Sequence, residues 1–205
     1  KLLQYRFTEG MLKGQSFGNL FLAAMNGISE SFEEAVKKMS DVLAVTGRVL
    51  PVTLQDVKLC AELEDGYIVK GESRIGEHNT FHKGKIKNVY LEPLLIKPSQ
   101  EAIESILDAD MVVLGPGSLY TSIIPNLLVP GIVDAIKKSK AVKVYVCNVM
   151  TQPGETENYT VWDHVKAIER HSYKGLIKYC IVNSAQIPDE LKKKYEEDGR
   201  SEERR

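Results

Sequence analysis

The stretch that decides the fold is Met111-Val112-Val113-Leu114-Gly115-Pro116-Gly117-Ser118-Leu119-Tyr120-Thr121-Ser122. Its first four residues form a continuous apolar run, which is typical of a strand buried in a parallel sheet. Glycine and proline then end the strand in a tight turn. Ligands of open α/β sheets bind beyond the carboxyl ends of the strands. The turn is therefore a candidate ligand loop, although an ordinary strand-to-helix turn explains this motif alone equally well.

Helices and strands alternate on both sides of this stretch. A helix that starts at Ser99 feeds the strand, and Thr160 with Asp163 predicts a capped helix that ends at about His171. The other predicted elements are a helix at 133–139 and strands at 143–148 and 177–183. This rhythm predicts an α/β, Rossmann-like fold, mainly a parallel sheet with helices on both faces.

The first half of the chain predicts two helices followed by antiparallel strands. The first helix runs from Ser16 to Ile28, and Ser31 with Glu34 begins the second. Glu64-Asp65-Gly66 separates two alternating runs and predicts a β-hairpin that extends the parallel sheet. The predicted strands here are Arg48–Leu54, Val57–Leu63, Tyr67–Ser73 and Ile86–Leu91.

Composition restricts the class of function. The 205 residues carry a formal net charge of −1, which lacks the basic field of nucleic-acid binders. No apolar run approaches the roughly 20 residues that span a bilayer. Cys60, Cys147 and Cys180 lie far apart in apolar runs, so we expect reduced core thiols of a cytoplasmic protein.

Three loops offer donors for a phosphorylated ligand. A helix start and two strand ends can present backbone N–H groups, hydroxyls and amides to an anion. For each loop, a plain cap or turn is the competing interpretation. The candidate residues are Gln15, Ser16 and Asn19 in the first loop, Gly115, Gly117, Ser118, Thr121 and Ser122 in the second, and Asn148, Thr151, Gln152, Gly154 and Thr156 in the third.

Other polar residues give weaker signals. Asp163 and His164 are adjacent on a predicted helix and point apart, so we expect exposed side chains there. The charged end of the chain, residues 196–205, is predicted to fray. We find no catalytic constellation and no set of residues with metal-ligand spacing.

The three loops resemble those of a known bacterial family. The matching stretches are Gly14–Leu20, Gly115–Pro130 and Cys147–Thr156, and the likeness covers nearly the whole chain. On these motifs the chain is similar to the YvcK family of gluconeogenesis factors, within the superfamily of 2-phospho-L-lactate transferase (CofD). The resemblance adds Asn126 and Tyr195 to the candidate ligand residues.

The resemblance implies a regulatory protein that binds UDP-N-acetylglucosamine or a related nucleotide sugar. It also implies a role in cell morphology and envelope synthesis during growth on gluconeogenic carbon sources. The alternative is a transferase that moves a 2-phospholactate-type group from a guanosine nucleotide to a deazaflavin precursor, with magnesium as cofactor. The sequence leaves open whether the protein is a homo-oligomer.

Two departures from the family pattern stand out. Gln15 replaces a histidine that is usual in the family, which argues against acid–base chemistry at that position. The family's glycine-rich amino-terminal strand, loop and helix have no counterpart here, nor does its carboxyl-terminal end. We therefore expect residues 1–205 to be a single CofD-like domain that lacks both segments.

Overall fold

The α/β class predicted from the sequence is confirmed. The structure, a computed structural model, describes residues 2–43, 47–78, 81–197 and 199–201. The chain forms two compact units, residues 1–54 and 55–205. The second unit carries a parallel sheet, an antiparallel sheet and most of the helices.

The first unit contains two helices of similar length. Helix α1 spans Phe17–Gly27 and helix α2 spans Phe32–Val42. Ser16 and Ser31 cap them, each accepting a hydrogen bond from a backbone N–H three residues later. Both helix starts were predicted because such a cap is a local signal.

An antiparallel sheet opens the second unit. Strands β1 (Lys58–Leu63) and β2 (Ile68–Lys70) form the predicted hairpin, and β3 (Ile86–Glu92) pairs with the other side of β1. Helix α3 (Glu72–Gly76) follows β2. These strands form a sheet of their own instead of extending the parallel one.

The parallel sheet has the order β4-β5-β6 within the described residues. Its strands are Met111–Leu114, Val142–Val146 and Tyr179–Ile181. The helices around it are α4 (Gln100–Asp108), α5 (Ile124–Leu128), α6 (Ile132–Lys138), α7 (Val161–Arg170) and α8 (Asp189–Glu197). Because the strands are parallel, all of their carboxyl ends meet at one edge, where the predicted loops begin.

One face of the parallel sheet is apolar and exposed at most of its positions. Met111 pairs with Val142, Val113 with Val144, and Val144 with Tyr179, so these side chains share a face. Val144, in the central strand, is buried, whereas the other four are exposed. Met111 is 55% exposed and Tyr179 is 65% exposed. In the described part of the chain, the predicted cover of both faces is therefore not complete.

Several local predictions were wrong. Residues 48–54 form no strand in the described part of the chain, because the strand propensity of a run does not by itself decide whether the run joins a sheet. The strand predicted at 67–73 is shorter than expected. Strand β2 ends at Lys70, and Gly71 is the N-cap of helix α3. Cys60 and Cys147 are buried as expected, but Cys180 is exposed.

Membrane-spanning character is weak in the helices. Among the described residues, no single helix is both long and apolar enough to cross a bilayer. The pair Leu119–Leu128 and Ile132–Lys138, bent by 77°, meets the length and composition criteria only when taken together.

Candidate functional site

The glycine turn after β4 is held against the next strand. Gly115 has a left-handed backbone, with φ of +82°. A Cβ atom at this position would lie 2.8 Å from the carbonyl oxygen of Val146, at the end of β5. Only glycine fits this conformation and this close approach.

Asn148 joins the two loops that follow β4 and β5. Its Oδ1 accepts a hydrogen bond from the Gly117 N–H at 3.2 Å, and its Nδ2 donates to the Gly117 carbonyl oxygen at 2.9 Å. This paired contact fixes the position of the glycine turn relative to the second loop. The sequence placed both residues at the site and did not predict their contact.

Buried Glu155 provides a second link between the same loops. Its Oε2 accepts the Tyr120 N–H at 2.9 Å, and its Oε1 accepts the Thr121 hydroxyl and the Gln152 amide, both at 2.8 Å. Gln152 in turn accepts the Ser118 hydroxyl at 2.7 Å. The candidate hydroxyls and amides thus largely hold one another in place.

Burial raises the pKa of Glu155, and the hydrogen bonds from Thr121 and Tyr120 oppose that rise. The carboxyl is 3% exposed, so desolvation outweighs the hydrogen bonds. Glu155 was not predicted as a site residue. It stands between the candidate residues Gly154 and Thr156, and in the sequence it is indistinguishable from an exposed surface charge. Only its burial reveals its structural role.

The turn between Ser118 and Ile123 is a π-helical turn, spanning Leu119–Ile123. The Ser118 carbonyl oxygen accepts the N–H groups of both Ser122 and Ile123 at 2.9 Å. Single π-helical turns are rare and often mark functional sites. Here the turn places the Thr121 hydroxyl against Glu155.

The end of α8 is anchored to the second loop, which corrects the prediction that this segment frays. The Gly199 N–H donates to the Glu196 carbonyl and the Arg200 N–H to the Tyr195 carbonyl, both at 2.9 Å, and Gly199 has φ of +72°. These features define a Schellman motif. Residues 198 and 202–205 of the predicted tail lie outside the described residues.

Three hydrogen bonds attach this turn to Thr151. The Thr151 N–H donates to the Ser201 carbonyl at 2.7 Å, and the Ser201 N–H donates to the Thr151 hydroxyl oxygen at 2.8 Å. The two hydroxyls lie 3.0 Å apart. Thr151 is buried, so its role in the structure is to hold the turn.

A cavity of about 350 Å³ opens where the two loops meet this turn. Five candidate residues line it, namely Gly117, Ser118, Asn148, Gln152 and Tyr195. Val149, Met150 and Arg200 complete the wall. The loops that follow β4 and β5 therefore meet helix α8 and its terminal turn at one cavity, at the carboxyl edge of the parallel sheet.

The other candidate residues lie elsewhere. Gln15, Ser16 and Asn19 belong to the first unit, where the Asn19 N–H donates to the Ser16 hydroxyl oxygen. Asn126 turns back to the Ser122 carbonyl at 2.6 Å. Six more lie in the loops or in the π-helical turn without lining this cavity, namely Gly115, Thr121, Ser122, Thr151, Gly154 and Thr156.

A larger cavity, of about 650 Å³, lies at the ends of the antiparallel strands. Its wall includes Lys58, Glu72, Glu92 and the candidate residue Thr121. The Lys70 ammonium lies 2.8 Å from the Glu92 carboxylate, so this ion pair already compensates part of the negative charge of the cavity wall. We favour the smaller cavity as the ligand site because it lies at the carboxyl edge of the parallel sheet.

The carboxylates near the site do not fit a magnesium ion. In the described ranges, no three His, Cys, Asp or Glu side chains are grouped so as to hold a metal. Glu155, the buried carboxylate between the loops, uses both oxygens on protein donors. We therefore derive no metal-dependent step from these residues.

Comparison with known proteins decides the family. The family profile described as 2-phospho-L-lactate transferase CofD matches residues 1–204. The chain belongs to the CofD family. The predicted resemblance to gluconeogenesis factors is also confirmed, since this CofD-family chain is 54% identical to the Gluconeogenesis factor of Bacillus subtilis over 196 residues.

Solved and curated relatives agree with the fold. A crystal structure of a UPF0052 family member from Bacillus halodurans has a TM-score of 0.89 and 48% identity, covering 99% of this chain and 65% of that one. A relative from Thermoanaerobacterium thermosulfurigenes is 63% identical over 97% of this chain. The chain spans 61% of the length of that relative and of the Bacillus subtilis protein.

Proposed function

We propose that this CofD-family chain contributes the ligand site of a cytoplasmic regulatory protein that binds UDP-N-acetylglucosamine or a related nucleotide sugar. The observation that supports the proposal best is the cavity at which Gly117, Ser118, Asn148 and Tyr195 converge. The wall combines small residues and amides with one aromatic ring. Such a mixture suits a ligand that has phosphates as well as a flat base.

The names of the relatives support a role in growth on gluconeogenic carbon sources. Proteins that are 50% and 54% identical to this chain carry the name Gluconeogenesis factor. We propose in addition that ligand binding supports cell morphology and envelope synthesis under these conditions. The hydrogen bonds among Ser118, Gln152 and Glu155 favour binding over turnover, because these polar groups already hold one another.

The family description favours one alternative, a transferase of 2-phospholactate-type groups. That activity would use a guanosine nucleotide and a deazaflavin precursor. Its carboxylate ligands for magnesium would have to come from outside the residues described here. The alternative is therefore decided by nucleotide preference and by product formation.

Calorimetric titration of the full-length protein distinguishes the two functions. We expect micromolar binding of UDP-N-acetylglucosamine without magnesium and without product. Binding of GDP that requires magnesium, together with product from a deazaflavin precursor, would establish the transferase instead. The Tyr195→Ala variant should bind the nucleotide sugar at least about fivefold more weakly, since stacking on one aromatic ring contributes roughly 1–3 kcal/mol.

We also propose that residues 1–205 are part of a longer CofD-like domain. The exposed apolar side chains of Met111 and Tyr179 support this proposal, because folded proteins rarely leave such a sheet face uncovered. This chain spans 61% of the length of one relative and 65% of the length of a solved one, so each relative has room for further helices and strands.

A further inference from the structure

We propose that Arg200 is the residue of this cavity that recognises negative charge, and that it contacts the phosphate groups of the ligand. This inference rests on the proposed function for the identity of the ligand. It assigns a binding role to a residue in the charged tail, which sequence analysis predicted to fray.

Arg200 supplies the positive charge of the cavity. Among the described residues that line it, Arg200 is the only charged side chain. The remaining wall consists of glycine, hydroxyl, amide, apolar and aromatic groups. Lys192, Lys193 and Lys194 lie on the exposed surface of α8 and do not line the cavity. A guanidinium in this position selects an anion, and its planar fork matches a phosphate group.

The backbone fixes where this guanidinium can reach. Arg200 occupies the last position of the Schellman motif, so its N–H is bonded to the Tyr195 carbonyl. The next residue, Ser201, accepts the Thr151 N–H at its carbonyl oxygen and donates its own N–H to the Thr151 hydroxyl oxygen. The backbone of Arg200 is thus held on both sides, so little backbone entropy remains to be lost when a ligand binds.

Tyr195 orients the side chain further. The guanidinium carbon lies 6.0 Å from the centre of the Tyr195 ring, within the range of a cation–π contact. Both residues are half-buried and line the same cavity. The ring can stack on a base while the guanidinium binds the adjoining phosphates. The geometry therefore matches a ligand in which a flat group and a phosphate are neighbours.

Calorimetry with two probes tests this assignment on the protein as the cell makes it. UDP-N-acetylglucosamine tests the proposed ligand, and inorganic pyrophosphate tests anion recognition alone. We expect Arg200→Gln to weaken both by about 10- to 100-fold, the range for a lost charge-assisted hydrogen bond. Arg200→Lys, which keeps the charge but not the fork, should lose less. Lys193→Gln removes a charge of the same sign from helix α8, outside the cavity, and should change neither affinity by more than about twofold.

The outcomes distinguish a failure of the Arg200 assignment from a failure of the proposed function. Nucleotide-sugar binding that is equal in the wild type and Arg200→Gln would overturn the inference and leave the proposed function intact. Arg200-dependent pyrophosphate binding without nucleotide-sugar binding would support the inference and refute the proposed function. Failure of the wild type to bind either probe would overturn both. Circular dichroism of Arg200→Gln should match the wild type, which excludes unfolding as the cause of lost affinity.

Discussion

Glu155 is the residue on which the geometry of the two central loops depends. Its carboxylate receives donors from Tyr120, Thr121 and Gln152 while it is nearly inaccessible to water. In Glu155→Ala these donors lose their acceptor in a buried setting. Since each unsatisfied buried group costs about 1–3 kcal/mol, we expect the free energy of unfolding to fall by roughly 2 kcal/mol or more, measured by chemical denaturation.

The pH dependence of stability tests the electrostatic side of the same contact. The pKa of Glu155 is raised above its ordinary value of 4.5 in the folded protein, so the folded state holds this proton more tightly than the unfolded state. The contribution of Glu155 to stability is therefore present at acid pH and falls as pH rises from about 4.5 through the raised pKa. Glu155→Gln cannot titrate, so it should remove this part of the slope. An unchanged slope in Glu155→Gln would show that the carboxyl does not titrate differently in the two states.

Individual residues could be predicted only where their neighbours along the chain determine them. The Thr160–Asp163 capping box is such a case, and α7 begins where the pair predicted. His164, one position later, is fully buried although the sequence predicted an exposed side chain. Its ring lies 6.4 Å from that of Tyr145, which is distant in sequence, and 5.4 Å from that of Tyr159, which precedes the helix. The spacing of residues within the helix does not predict these contacts.

At the scale of elements, the turn that ends α8 should control ligand affinity. Gly199 adopts a left-handed conformation, and an added Cβ would lie 3.4 Å from Pro153. Gly199→Ala costs roughly 1–2 kcal/mol at such a position and should release the turn that carries Arg200. We expect at least about fivefold weaker UDP-N-acetylglucosamine binding by calorimetry.

Gly175→Ala is the matched control, because Gly175 has φ of +81° with open space around it. It imposes the same backbone strain without touching Tyr195, Arg200 or their cavity. Equal losses of affinity in the two variants would mean that general destabilisation, and not the α8 turn, governs binding.

Most elements were predictable because their signals are periodic or local. The hairpin around Asp65-Gly66 and the loops after β4 and β5 appear where the sequence placed them. The strand predicted at 48–54 does not form, and the tail at 199–201 is anchored instead of frayed. Both errors have the same cause. Whether a strand pairs in a sheet and whether a tail is anchored depend on contacts between residues that are distant in sequence, and a single sequence does not specify such contacts.

At the scale of the whole molecule, the exposed face of the parallel sheet makes the proposal of a longer domain testable. Val113 lies on this face in the edge strand β4 and is 49% exposed. If further chain covers it in the cell-made protein, Val113→Glu buries a charge and should lower the melting temperature by several degrees. Leu94, which is 75% exposed outside the parallel sheet, provides the control Leu94→Glu. Equal melting temperatures for the two variants would mean that the face stays open to solvent.

The location of the ligand is the central claim, and a crystal structure of the cell-made protein with UDP-N-acetylglucosamine tests it most directly. We predict diphosphate density beside Gly117, Ser118 and Arg200, with the uracil or sugar against Tyr195. Density in the larger cavity beside Lys58 and Thr121, with none in the smaller one, would contradict the account.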